Sequence, residues 1–143
     1  MSTHKVTVEW QKDMAFKGTS GGHEIMMDAD EQVGGHNLGS RPKPLLLVAA
    51  GGCTGMDIIP ILKKMQVVPD YFNMVVEGVV SEEHPRQYTS MHITFEFRGK
   101  DLPFEKLQKA VSLSQDKYCG VSATLKKAMP VSWEIKILEQ VIS

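Results

Sequence analysis

Residues 44–62 read PLLLVAAGGCTGMDIIPIL and form the most apolar stretch of the 143-residue chain. Apolar residues surround most of its first half, a pattern typical of a helix that is buried on every side. Asp57 interrupts the stretch and glycines weaken it, whereas about 20 apolar residues are needed to span a bilayer. We therefore predict a central buried helix and no membrane partner. Because Pro60 lacks an N–H group, the helix should kink there or consist of two pieces.

Alternating apolar and polar residues predict strands on both sides of this helix. The expected strands are residues 5–10, 16–19, 24–28, 70–80, 91–98 and 131–137. Two helices should precede the last strand. The first is expected to end near Cys119 and Gly120, because glycine favours the left-handed residue after a helix, and Ser122 is the expected cap of the second. The order βββ-α-ββ-αα-β indicates the α+β class.

Composition narrows the function classes. With 42% hydrophobic and 23% charged residues, the chain fits a single domain over residues 1–143. The formal net charge is −1, so we expect no nucleic-acid partner. The start, MSTHKVTVEWQKD, lacks a basic region followed by an apolar run, and a cytoplasmic location is therefore expected. So small a domain covers an all-round apolar helix poorly, which favours a homodimer that buries the helix between subunits.

Motifs for nucleotide, lipase-like and zincin sites are absent. The five histidines stand singly and no CxxC or HxH spacing occurs, so we expect no metal and no bound cofactor. Cys53 and Cys119 remain as candidate reactive groups, because cytosolic cysteines seldom form permanent disulfides. The alternative is that each cysteine is simply a small buried hydrophobe.

The residues around Cys53 predict two opposing effects on the pKa of its thiol. If the two preceding glycines break the helix and Cys53 opens a new one, unpaired N–H groups would lower its pKa. Asp57, one turn later on the same face, would oppose this effect unless a cation neutralises it. Arg41, Lys43 or a basic residue of another subunit are the candidate cations.

Three segments together resemble the OsmC/Ohr family of thiol-dependent hydroperoxide reductases. They are RPKPLLLVAAGGCTGMDIIPILKKMQ at 41–66, EEHPRQYTSMHITFEFRGKDL at 82–102 and AVSLSQDKYCGVSATLKKA at 110–128. The KYC motif at 117–119 is more similar to the OsmC-like branch than to the classical Ohr branch. The resemblance implies an OsmC-like fold and an intertwined homodimer with active sites at the subunit interface.

The resemblance also implies an antioxidant stress-response function. Cys53 matches the peroxidatic cysteine, which reduces an organic hydroperoxide to an alcohol and becomes a sulfenic acid. Cys119 matches the resolving cysteine, which condenses with it to a disulfide. An external dithiol, such as a lipoylated protein, is the reductant that the family uses.

The sequence departs from the family pattern near the first cysteine. Family peroxidases pair that cysteine with an N-terminal arginine and with a glutamate that follows a proline. Here Lys43 follows Pro42, and residues 14–40 contain no arginine. This departure supports a second hypothesis: a catalytically weak dimer that binds a small apolar or electrophilic ligand, or senses redox state.

Overall fold

The computed structural model describes residues 1–140 and shows the predicted element order, βββ-α-ββ-αα-β. Its elements lie in two compact units, Met1–Leu46 and a larger unit that begins at Leu47. The α+β class is thereby confirmed. A single domain over the whole chain stays a prediction.

The N-terminal unit is an antiparallel meander. Its strands are β1 (Thr7–Lys12), β2 (Ala15–Ser20) and β3 (His23–Met27), paired in the order β1-β2-β3. The turn between β2 and β3 contains Gly21 and Gly22 with φ of 54° and 80°, the left-handed region that glycine enters without strain. Every residue of β1 is exposed, although its apolar and polar residues alternate. Within its unit, this strand therefore offers an uncovered apolar face.

Asp28 organises the loop that follows β3. Its buried carboxylate accepts hydrogen bonds from the N–H groups of Ala29, His36 and Leu38 at 2.7, 3.1 and 3.2 Å. Burial acts to raise the pKa of this carboxyl, but the three N–H donors and the neighbouring His36 hold the pKa below its usual 3.8. The ionised carboxylate thus ties the loop to the end of β3.

The second sheet contains β4 (Tyr71–Val80), β5 (Tyr88–Arg98) and β6 (Val131–Ile137). The central strand β5 pairs antiparallel with β4 and parallel with β6. One face of β5 forms the middle of the core, with Met91, Ile93, Phe95 and Phe97 at most 2% exposed. This alternation is the period-two pattern that predicted the strand.

The apolar segment forms one continuous helix, α1 (Leu45–Lys64), which runs through its glycines and Pro60. Of the two alternatives at Pro60, two separate pieces is therefore wrong, and a kink stays a prediction. A stripe at four-residue spacing faces the core: Ala50, Thr54, Ile58 and Leu62. Among residues 1–140, α1 is the one helix long and apolar enough to cross a membrane, a criterion that core helices of soluble proteins also meet.

The other face of α1 is open in the single chain, contrary to the expected burial on every side. Its exposed apolar side chains include Leu46, Val48, Met56 and Ile59. One sheet and two further helices cover only one face of such a helix. The sequence predicts a homodimer for this reason, since a second subunit would cover the open face of α1.

Helix α2 (Phe104–Leu113) continues into a π-helical turn, Ser114–Tyr118, and α3 (Gly120–Lys126) follows after one extended residue. That residue is Cys119, with φ −74° and ψ 104°, and it is the N-cap of α3. Gly120 opens α3 instead of ending the preceding helix, and Ser122 lies inside it as a buried residue. The expected cap was wrong because a cysteine sulfur accepts the hydrogen bond that a hydroxyl oxygen usually accepts.

Candidate functional site

The two predicted cysteines meet beside α1. The Sγ atoms of Cys53 and Cys119 and a carboxylate oxygen of Asp57 all lie within 4.8 Å of one another. Cys53 and Asp57 stand four residues apart on α1 and so share one face of the helix. Both cysteines are free thiols. The sequence predicted these cysteines as reactive groups, and the fold places them within reach of each other.

Cys119 is held from several sides. Its backbone N–H donates to the carbonyl of Ser114 at 2.8 Å, and its side chain is 3% exposed. The Sγ atom accepts hydrogen bonds from the Ser122 N–H at 3.3 Å and from the Thr54 hydroxyl at 3.4 Å. The Thr54 proton is shared with the carbonyl of Ala50, at 2.8 Å. The N–H of Ser122 is therefore the steadier donor to this sulfur.

Cys53 is the more accessible sulfur. It is half-buried, whereas Cys119 is buried. It stands at the ninth position of an unbroken helix, so the free N–H groups expected at a helix start are not available to it. The backbone N–H of Val121 acts instead to lower the pKa of the Cys53 thiol.

The pKa of Cys53 is shifted in the opposite direction to the one that a helix start at this cysteine would give. The Val121 hydrogen bond lowers the pKa of Cys53, but burial, the neighbouring Cys119 and the charge of Asp57 together raise it. Burial raises the pKa of Cys119, but hydrogen bonds from Ser122, Thr54 and Cys53 outweigh burial and lower it. Of the two thiols, Cys119 thus loses its proton more readily than Cys53.

A group of buried polar side chains surrounds the cysteines, and sequence reasoning did not identify it as part of a site. Its members are Thr54, Ser114, Gln115 and Ser122, all at most 3% exposed. Ser114 Oγ donates to Asp57 Oδ2 at 2.9 Å, and Gln115 Nε2 donates to Thr54 Oγ1 at 3.0 Å. The sequence feature that could have identified this group is the presence of hydroxyl residues on otherwise apolar helix stripes. Buried polar groups need hydrogen-bond partners, so such residues indicate a buried polar cluster.

The proposed activating cations, Arg41 and Lys43, lie in the N-terminal unit. Arg41 Nη1 donates to Asn37 Oδ1 at 2.9 Å and to the carbonyls of Gly39 and Asp28 at 3.2 and 3.4 Å. Lys43 is exposed in the turn before α1. A role for either residue as the activating charge stays a prediction.

An apolar groove of about 450 Å³ runs along α1 next to the Cys53 segment. Gly52, Gly55 and Met56 of the helix line it together with Phe72 and Met74 of β4. Cys53 itself stands between two of the lining residues in sequence. Its volume and apolar lining suit an alkyl chain.

The chain belongs to the OsmC-like family, because residues 35–134 match the family model described as OsmC-like protein. Among curated proteins it is similar to Protein YhfA of Escherichia coli strain K12, with 34% identity over 134 residues that cover 92% of this chain and 96% of YhfA. Among solved structures it is similar to a hypothetical protein from Aquifex aeolicus VF5, with 32% identity, a TM-score of 0.81 and coverage of 97% and 100%.

More distant structures share the fold alone. One is an organic hydroperoxide resistance protein from Elizabethkingia anophelis, with 13% identity, a TM-score of 0.71 and coverage of 96% of this chain and 98% of that one. The resemblance read from the cysteine motifs is confirmed by the family match. The OsmC-like fold expected from it is confirmed by these structures.

Proposed function

We propose that the protein reduces organic hydroperoxides with Cys53 as the attacking sulfur and Cys119 as the resolving one. The observation that carries this proposal is the placement of the two sulfurs within 4.8 Å of each other. Membership of the OsmC-like family supports it, as does the shared fold with a protein named for organic hydroperoxide resistance.

The reaction conserves atoms and electrons. The Cys53 sulfur attacks the O–O bond of the hydroperoxide, an alcohol leaves, and Cys53 becomes a sulfenic acid. The Cys119 sulfur then displaces the sulfenic hydroxyl as water, and the S–S bond forms. Two thiols and one hydroperoxide thus give one disulfide, one alcohol and one water.

The difference in accessibility between the two cysteines supports the two proposed roles. Cys53 is half-buried and Cys119 is buried, so an incoming peroxide meets Cys53 first. The two sulfurs lie within 4.8 Å of each other, so the Cys119 sulfur is near the place where the sulfenic acid would form.

The apolar groove beside α1 supports a substrate with an alkyl tail. Its lining lets an alkyl or fatty-acid hydroperoxide gain contacts that hydrogen peroxide cannot make. An external dithiol completes the cycle by thiol–disulfide exchange, and a lipoylated protein is a suitable donor. The more accessible sulfur, that of Cys53, is the expected point of its attack.

The test treats the reduced full-length protein with one equivalent of cumene hydroperoxide and measures free thiols and intact mass. The expected result is loss of both thiols and of two hydrogens, faster than with hydrogen peroxide. The Cys119→Ser variant should stop at a Cys53 sulfenic acid that dimedone traps, whereas Cys53→Ser should form no sulfenic acid. Unchanged thiols in the wild-type protein would reject the proposal.

The raised pKa of Cys53 favours a second candidate function, a slow redox sensor or ligand-binding dimer. A thiol kept protonated beside Asp57 reacts slowly with peroxide. This candidate gains support if the disulfide forms with the oxidant diamide but not with hydroperoxide at comparable concentration. Detection of a bound apolar ligand by native mass spectrometry would support the ligand-binding dimer.

We also propose that the protein is a homodimer. The open face of α1 and the uncovered strand β1 expose apolar side chains that include Val8, Trp10, Val48 and Met56. Burial of such surface between two copies is the usual way to remove it from water. Light scattering coupled to gel filtration tests this, with twice the chain mass of 15.9 kDa as the expected result.

A further inference from the structure

Three metal-ligating side chains converge at the cysteine pair. Cys53, Asp57 and Cys119 each offer one ligand atom, and these three atoms all lie within 4.8 Å of one another. In a tetrahedral zinc site with Zn–S bonds near 2.3 Å, ligand atoms stand roughly 3.5–3.8 Å apart. A small inward movement of these side chains therefore suffices to coordinate one ion.

The choice of donors defines the class of ion. Two thiolates and one carboxylate suit a soft or borderline cation such as Zn²⁺, whereas Ca²⁺ and Mg²⁺ require oxygen ligands. The ionised donors carry three negative charges, two of which a divalent cation would neutralise. Cys53 and Asp57 are only half-buried, which leaves one side of the cluster open for a water molecule.

The surrounding hydrogen bonds orient the donors. Ser114 Oγ donates to Asp57 Oδ2, the carboxylate of the cluster, at 2.9 Å. The N–H of Ser122 and the hydroxyl of Thr54 donate to the Cys119 sulfur. Metal ligands are commonly fixed by such outer partners, which set their direction and increase affinity.

We propose that Cys53, Asp57 and Cys119 form a binding site for one Zn²⁺-like ion with a fourth, open coordination position. The site uses the two thiols of the proposed peroxidase but does not depend on that activity. Metal binding and disulfide formation exclude each other, because the metal requires both sulfurs as thiolates. An organic hydroperoxide would release the ion: two thiolates, one hydroperoxide and two protons give the disulfide, an alcohol, water and the free cation.

The test titrates the reduced, chelator-stripped, full-length protein with Co²⁺, a spectroscopic substitute for Zn²⁺. The expected result is one ion per chain, a thiolate-to-cobalt charge-transfer band and d–d bands of tetrahedral intensity. Zn²⁺ should displace the Co²⁺ and abolish the bands. Peroxide consumption measured in the metal-free protein tests the proposed function separately, so either proposal can fail alone.

Matched variants identify the ligands. Cys53→Ser and Cys119→Ser should each weaken the charge-transfer band, and Asp57→Asn should lower affinity about 10-fold or more, at least as much as loss of an outer partner. Asp116→Asn, a change at an exposed carboxylate outside the cluster, should leave affinity unchanged. Diamide oxidation of the wild-type protein should abolish binding without any change of sequence. Absence of a one-to-one charge-transfer band, or equal affinity in Asp57→Asn, would overturn the proposal.

Discussion

The Thr54 hydroxyl offers a direct measure of what the buried polar group contributes to stability. Thr54 is fully buried, and its oxygen accepts a hydrogen bond from Gln115 Nε2 at 3.0 Å. The change Thr54→Val keeps the branched shape and the low helix propensity but removes the hydroxyl. Its effect on the free energy of unfolding thus reports the lost hydrogen bonds.

The expected cost follows from what Gln115 loses. A buried donor without a partner costs about 1–3 kcal/mol. Gln115 Nε2 keeps a longer contact with Ser122 Oγ at 3.4 Å, which places the cost of Thr54→Val in the lower part of that range, about 1–2 kcal/mol. The carbonyl of Ala50 loses little, since it also accepts the helical N–H bond.

Urea unfolding followed by far-UV circular dichroism, at one protein concentration, measures this change. Thr124→Val is the matched control: Thr124 also donates to the carbonyl four residues earlier, Gly120, at 3.1 Å, but it is exposed. Its cost should stay within about 0.5 kcal/mol. An equal cost for both variants would refute the argument that burial makes the Thr54 hydroxyl important.

A double-mutant cycle tests whether the cost of Thr54→Val comes from its hydrogen bond with Gln115. A Gln115→Met background has no side-chain amide that could lose its hydrogen-bond partner. In that background Thr54→Val should therefore cost about 1 kcal/mol less than in the wild-type protein. Additive effects would show that the cost comes from a source other than the Gln115 hydrogen bond.

Three further predictions concern the rest of the chain. Asp28→Asn should lower Tm near neutral pH but remove part of the loss of Tm at acid pH. A carboxyl with a lowered pKa stabilises the fold above pH 3.8 and loses this effect as pH falls further. Parallel curves of Tm against pH for the variant and the wild-type protein would contradict this. Met56→Glu, at a side chain 80% exposed in one chain, should halve the mass seen by light scattering, while Lys63→Glu should not. Gly78→Ala should destabilise by about 1–3 kcal/mol in thermal unfolding, because a Cβ there would lie 2.6 Å from the Tyr88 ring; an unchanged Tm would show that the ring moves freely.

Local pattern was enough to predict most of the fold. The alternation of Met91, Ile93, Phe95 and Phe97 predicted β5, because a strand exposes successive side chains to opposite faces. The long apolar run predicted α1, and the element order followed from such local periods. The two cysteines were also evident from sequence, since they were the only thiols in the chain.

Helix ends and helix continuity were predicted less well. The sequence left open a break before Cys53 and favoured a cap at Ser122, yet α1 continues through its glycines and Cys119 caps α3. Glycine and proline lower helix propensity by a few kcal/mol at most. Burial of Ile58 and Leu62 in the core supplies enough stabilisation to offset this, and no local signal reports it.

Sequence alone determined the class, the order of elements and the two cysteines that are the candidate reactive groups. Only the tertiary structure decided that the pKa of Cys119 is lowered while that of Cys53 is raised, and that Asp57 joins both cysteines in one cluster. The Cys53–Asp57 spacing is local and readable from helix periodicity. The approach of Cys119, with its donors Ser122 and Thr54, depends on how α1 packs beside the junction of α2 and α3, and such long-range contacts have no signature in neighbouring residues.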